Sequence, residues 1–196
     1  MMKIYKKQFP GESGYTMRID ATLHNIDIDK VTLMNRDIYY RQNGAKPPKE
    51  IRVVEETSKY SDVVYTEMNF PFPMSNREFL QKRLFVSNKA DPEIVKHLGL
   101  WDWGHRYNVI VIQSTEKEDF PVKEKPVRAE TKMNYTLLEE DPSDRNVVRM
   151  KVVIDQDLKG DIPKFVVNSF ADKMPKIIMN SFLNSYTKFF GKNAAA

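Results

Sequence analysis

Val127-Arg128-Ala129-Glu130-Thr131-Lys132-Met133-Asn134-Tyr135-Thr136-Leu137-Leu138 is the stretch that decides the fold class. Val127, Ala129, Thr131, Met133, Tyr135 and Leu137 alternate with Arg128, Glu130, Lys132, Asn134 and Thr136. A period of two marks an extended strand whose side chains leave on opposite faces. The stretch predicts an antiparallel sheet with one dry and one wet face. It also predicts that Met133 and Tyr135 point to the dry side.

Outward from this strand, the pattern repeats. Residues 147–154 set Val148, Met150, Val152 and Ile154 against Arg149 and Lys151. Further strand-like runs fall at 51–57, 63–70, 79–86 and 107–114. Upstream, 4–9 and 15–23 read as a hairpin turning at Pro10-Gly11-Glu12-Ser13-Gly14. Asp27 or Asp29 can cap a helix with Val31, Met34 and Ile38 on one side, ended by Asn43-Gly44-Ala45-Lys46-Pro47-Pro48. Residues 91–98 can form a short helix inside the long connection 88–106.

The last segment changes period. Pro163 suits a first helical turn and Gly191 a helix end. Between them Val167, Phe170, Met174, Ile178 and Phe182 recur at spacings of three and four, the pattern of an amphipathic helix. Pro175 predicts a kink. A sheet must cover its dry face, and this helix is the only large element free to do so. The expectation is an α+β fold, a curved antiparallel β-sheet wrapped around a long C-terminal α-helix.

Composition narrows the class. A chain of 196 residues suits one domain, expected at 1–193, and Ala194-Ala195-Ala196 read as a cloning scar. No cysteine is present, so disulfide and thiolate chemistry are excluded. No run of about 18 apolar residues can span a bilayer, and Met1-Met2-Lys3-Ile4-Tyr5 opens no signal-peptide core. The net charge of +4 is too small to imply nucleic acid, and its lysines are interleaved with acids, as in Glu116-Lys117-Glu118-Asp119. His24, His97 and His105 form no metal pattern, and there is neither a phosphate-binding glycine loop nor a G-x-S-x-G elbow.

Three stretches carry a resemblance. Asn69-Phe70-Pro71-Phe72-Pro73-Met74-Ser75-Asn76-Arg77-Glu78-Phe79 resembles the strand-loop-strand signature of START (StAR-related lipid transfer) domains, above all their phosphatidylcholine transfer protein branch. Lys159-Gly160-Asp161-Ile162-Pro163-Lys164-Phe165-Val166-Val167-Asn168 is similar to the start of that family's C-terminal helix. Asp37-Ile38-Tyr39-Tyr40-Arg41-Gln42 is a weaker match to its Asp-x-x-Tyr-Arg-x-x-Trp stretch. The order of elements agrees from about Ile4 to Phe190. The chain departs from the pattern in beginning close to the first strand and in the length of 88–106. It departs also at Asn108 and Val153, which fall where the aromatics of a choline cage are expected.

The resemblance implies a START-like helix-grip fold that encloses a lipid cavity. It implies that Arg77 meets the lipid phosphate, since a guanidinium holds its charge and bonds two oxygens at once. Phe70, Phe79, Met133, Tyr135, Val167, Phe170, Met174 and Ile178 are then the expected lipid-binding set, and Phe72, Met74, Trp101 and Trp103 the expected membrane contacts. For Trp101 and Trp103 the alternative, a loop folded back over apolar surface, stands level. The expected function is binding of one phospholipid and its transfer between membranes, without cofactor, metal or nucleic acid. The expected state is a monomer, cytoplasmic and peripherally membrane-associated. A lipid sensor or scaffold and a sterol or ceramide carrier are alternatives. A helix-grip enzyme using an acid pair such as Glu130 and Asp155 is a more distant one.

Overall fold

In the computed structural model the described residues are 2–7, 14–70, 72, 74–100, 103–160, 162 and 164–191; the side chains of 164–168, 170 and 171 are also outside the description. The chain runs β1 (Met2–Lys7), β2 (Gly14–His24), α1 (Ile28–Arg36), α2 (Ile38–Gln42), β3 (Glu50–Ser58), β4 (Ser61–Met68), β5 (Arg77–Ser87), α3 (Pro92–His97), β6 (Tyr107–Ser114), β7 (Val127–Arg128), β8 (Glu130–Asp141), β9 (Asp144–Asp157) and α4 (Lys164–Phe190). The strands form one sheet in the order β1-β2-β9-β8-β6-β5-β4-β3. Neighbours are antiparallel throughout, except that β7 pairs parallel with the start of β5.

The predicted helix after Asp27 is two helices. Asp27 caps α1 by accepting from the amides of Asp29 and Lys30. Asp37, with extended backbone, then ends α1 and caps α2 by accepting from Tyr39 N. One aspartate thus stops one helix and starts the next, because its short carboxylate competes for the amides an unbroken helix would bond.

The main core lies between the sheet and the helices. Met17, Ile19 and Leu23 of β2, Val148, Val152 and Ile154 of β9, and Val31 of α1 are buried there beside Met179 and Tyr186 of α4. Each such side chain contributes roughly 1.5–3 kcal/mol by leaving water. α4 runs unbroken through Pro175, which is buried on its inward side. Its C-terminal half is tied down by polar bonds. Tyr186 Oη accepts from Asp27 N at 2.8 Å, Ser185 Oγ accepts from Ala45 N at 2.9 Å, and Lys188 Nζ donates to Asn43 O at 2.7 Å.

The second face of the sheet is not simply wet. Val86, Tyr107, Val109 and Leu137 make an apolar cluster there with Val95 of α3, joined by Tyr135. Val63, Tyr65 and Leu80 make another, covered by Phe120. The described residues of the connections 88–106 and 115–126 therefore fold back over the sheet through Val95, Leu100 and Phe120.

Candidate functional site

A cavity of about 660 Å³ lies between the inner face of the sheet and α4. Its apolar wall comes from Ile19 on β2, Phe79 on β5, Ile110 and Ile112 on β6, Val152 and Ile154 on β9, and Met174, Ile178 and Phe182 on α4. Lining residues from strands as far apart as β2 and β4 face one helix, so the sheet curls around it. Strand parity decides what each β residue presents. Ile110 and Ile112 point inward, while Val109 and Val111 serve the outer cluster.

On β8 that parity is broken. Thr131 pairs with Gln156 and Met133 with Asp155, so Lys132 is an extra residue in the ladder. Such a bulge shifts every later side chain to the other face. Asn134 and Thr136 therefore line the cavity. Met133 is 46 % exposed and Tyr135 packs in the outer cluster, which corrects the expectation that both face the ligand. The expected cage positions are likewise displaced: Asn108 donates to Thr32 Oγ1 at 2.7 Å, and Val152 and Ile154, not Val153, line the space.

Phe70, Phe79, Met174 and Ile178 all line the cavity. The backbone of Val167 and Phe170 lies in α4, but their side chains are outside the described residues. Phe72 is 96 % exposed at the loop between β4 and β5, with Met74 half-buried nearby. Trp101 lies outside the described residues. Trp103 rests on the Tyr107 ring, with centroids 4.8 Å apart, and faces His105 at 5.9 Å. It packs on the outer face through Tyr107 and is still 43 % exposed.

Arg77 is buried but is not a lining residue. Its Nε donates to Leu158 O at 2.7 Å, Nη1 to Ser75 O at 2.5 Å, and Nη2 to Lys159 O at 3.1 Å. Burial pushes its pKa down. These bonds tie the start of β5, where the phosphate ligand is expected, to the β9–α4 connection. The nearby acids are engaged with other partners, Glu78 with Arg128 and Tyr65, Glu67 with Lys49 and Asn76. The candidate acid pair is not a pair either. Glu130 sits opposite Asp157 and bonds Lys159 at 2.7 Å, and neither Glu130 nor Asp155 lines the cavity.

Sequence reasoning missed the polar part of the lining. Gln81 and Gln156 both donate to Thr131 Oγ1, at 2.7 and 3.2 Å, and Gln156 accepts from the Tyr15 hydroxyl at 2.8 Å. Burial raises the Tyr15 pKa well above its ordinary value, so this network is neutral. The charged lining is Arg41 and Lys46; no Asp, Glu or His is among the described lining residues. Alternation could have exposed Gln81 and Gln156, but the Lys132 bulge conceals Asn134 and Thr136, because nothing in the local pattern marks an inserted residue.

The sequence model of the START domain family matches residues 32–195. The chain belongs to the START domain family. Bovine phosphatidylcholine transfer protein is 25 % identical over 154 residues, which cover 79 % of this chain and 65 % of that protein. The chain therefore spans less than two thirds of that relative's length. Among solved structures, human STARD10 superposes with a TM-score of 0.75 at 17 % identity, over 95 % of this chain and 69 % of the other. Human StAR-related lipid transfer protein 5 gives 0.70 at 15 % identity, over 97 % and 84 %. These START structures share the curved sheet closed by a C-terminal helix. Members of the family bind and transfer lipids. No helix among the described residues is long and apolar enough to cross a membrane.

Proposed function

We propose that this START domain holds one phospholipid in the cavity between its sheet and α4 and carries it between membrane surfaces. The observation that carries the reading is the cavity itself: about 660 Å³, walled mainly by Ile, Val, Phe and Met from five strands and α4. That size and chemistry suit an acyl ligand, and Met174 adapts to an irregular chain. Free desorption of a diacyl lipid is slow because each methylene meets water at about 0.8 kcal/mol. A dry cavity lowers that barrier without bond making, cofactor or metal. Phe72, exposed at the β4–β5 loop, supplies an apolar contact for the bilayer. The N-terminal part of α4 is held at its surface by the exposed Lys6–Asp172 pair, which is compatible with a lid that lifts.

A blocking pair of variants tests this. Thr136→Trp places an indole in the cavity, whereas Met133→Trp, three positions earlier on the same strand, places it outside. Transfer of a fluorescent phospholipid between vesicles should fall at least about tenfold in the first and stay at the wild-type rate in the second. Equal rates in both folded variants would mean that the cavity is not the carrier site.

A further inference from the structure

We propose that Arg41, together with the Thr66 hydroxyl, is the site that receives the head group, and that it selects a lipid whose head is a net-anionic phosphate monoester over a zwitterionic one. This rests on the lipid-carrier reading and deepens it.

Arg41 lies on α2 and lines the cavity. Among the described residues the half-buried guanidinium of Arg41 has no hydrogen bond and no carboxylate partner, in contrast to the two buried arginines. Arg83 is held by Asp62 and by the carbonyls of Asn35 and Arg36. Arg77 is held by three carbonyls. Burial, and then the nearby Arg83, push the Arg41 pKa down to about 10. It stays charged at neutral pH, at a cost to the folded state that an oxyanion would offset.

A second observation points to the same place. Thr66 on β4 is 1 % exposed, lines the cavity, and its Oγ1 has no hydrogen-bond partner. The two groups are neighbours by topology. Gln42, next to Arg41, donates to Ile51 O at 3.0 Å, and Ile51 is the cross-strand partner of Thr66. α2 therefore packs on β3 beside the Thr66 position, and Arg41 and Thr66 line the same cavity. A guanidinium and a hydroxyl make a fork that donates to two oxygens of one phosphate.

The sign of the field sets the selectivity. Arg41 and Lys46 are positive, Arg83 stands behind Arg41, and no described lining residue is acidic. An added cationic group on the head finds no carboxylate among the described lining residues and faces the positive charges of Arg41 and Lys46. Phosphatidic acid is favoured over phosphatidylcholine on that ground.

The test offers the full chain vesicles containing equal mole fractions of dioleoyl phosphatidic acid, phosphatidylcholine and diacylglycerol, and counts bound lipids by native mass spectrometry. The expected result is a phosphatidic acid excess over phosphatidylcholine of about tenfold or more, the scale of one charge-assisted bidentate contact. Arg41→Gln should remove that excess and leave diacylglycerol uptake unchanged; Thr66→Val should reduce it. Lipid-free Arg41→Gln should melt no lower than wild type, since it removes an uncompensated charge. Equal uptake of all three lipids, or an excess that survives Arg41→Gln, overturns the inference and leaves the carrier reading standing. Uptake of none overturns both. Inorganic phosphate is the further arm: thermal protection by millimolar phosphate equal to that by phosphatidic acid would assign the fork to a free anion instead.

Discussion

Arg77 and Arg41 carry the same guanidinium in the same fold, and their surroundings use it differently. Arg77 spends its donors on the carbonyls of Ser75, Leu158 and Lys159 and joins the start of β5 to the connection into α4. Arg41 lines the cavity without a partner among the described residues. A buried charge that is fully bonded holds structure together, whereas one facing a cavity unbonded is held for a ligand. Residue type and family motif point to Arg77; only the distribution of partners points to Arg41.

The largest effect that would sharpen this contrast is on stability. Arg77→Ala strands three buried carbonyls and should cost about 2–4 kcal/mol in urea unfolding, while Arg41→Gln costs nothing. If the two variants unfold at the same denaturant concentration, the contrast is gone. The same logic separates the two halves of α4. Tyr186→Phe deletes the bond to the Asp27 amide at a nearly buried site and should cost about 1 kcal/mol, read by thermal melting. Asp172→Asn releases the exposed pair with Lys6 and should change stability by less than about 0.5 kcal/mol, yet speed lipid release if the N-terminal half is the moving part. A melting shift for Asp172→Asn as large as that for Tyr186→Phe would show that both halves are equally anchored.

Much of the architecture was legible from local signals. The alternation at 147–154 predicts the inward set Met150, Val152 and Ile154 that the structure shows, because β9 runs without interruption there. The three-and-four spacing predicts that Met174, Ile178 and Phe182 share one side of α4. Where the reading failed, a local pattern was overruled by something it does not encode. The bulge at Lys132 reverses the faces of Met133 and Tyr135 while leaving the alternation intact. Asp37 divides a helix whose apolar spacing looks continuous. Trp103 was ambiguous because a loop tryptophan reads the same whether it meets a membrane or Tyr107. Arg41 stands within a stretch that resembles the family, but its place in the cavity wall depends on α2 packing on β3, a contact between elements that no spacing reports.

The central claim is that the cavity holds one phospholipid, and native mass spectrometry of the full chain, before and after incubation with phospholipid vesicles, tests it most directly. The account predicts one added mass per chain, equal to one phospholipid and lost on Thr136→Trp. A protein that stays at its polypeptide mass under both conditions would contradict it.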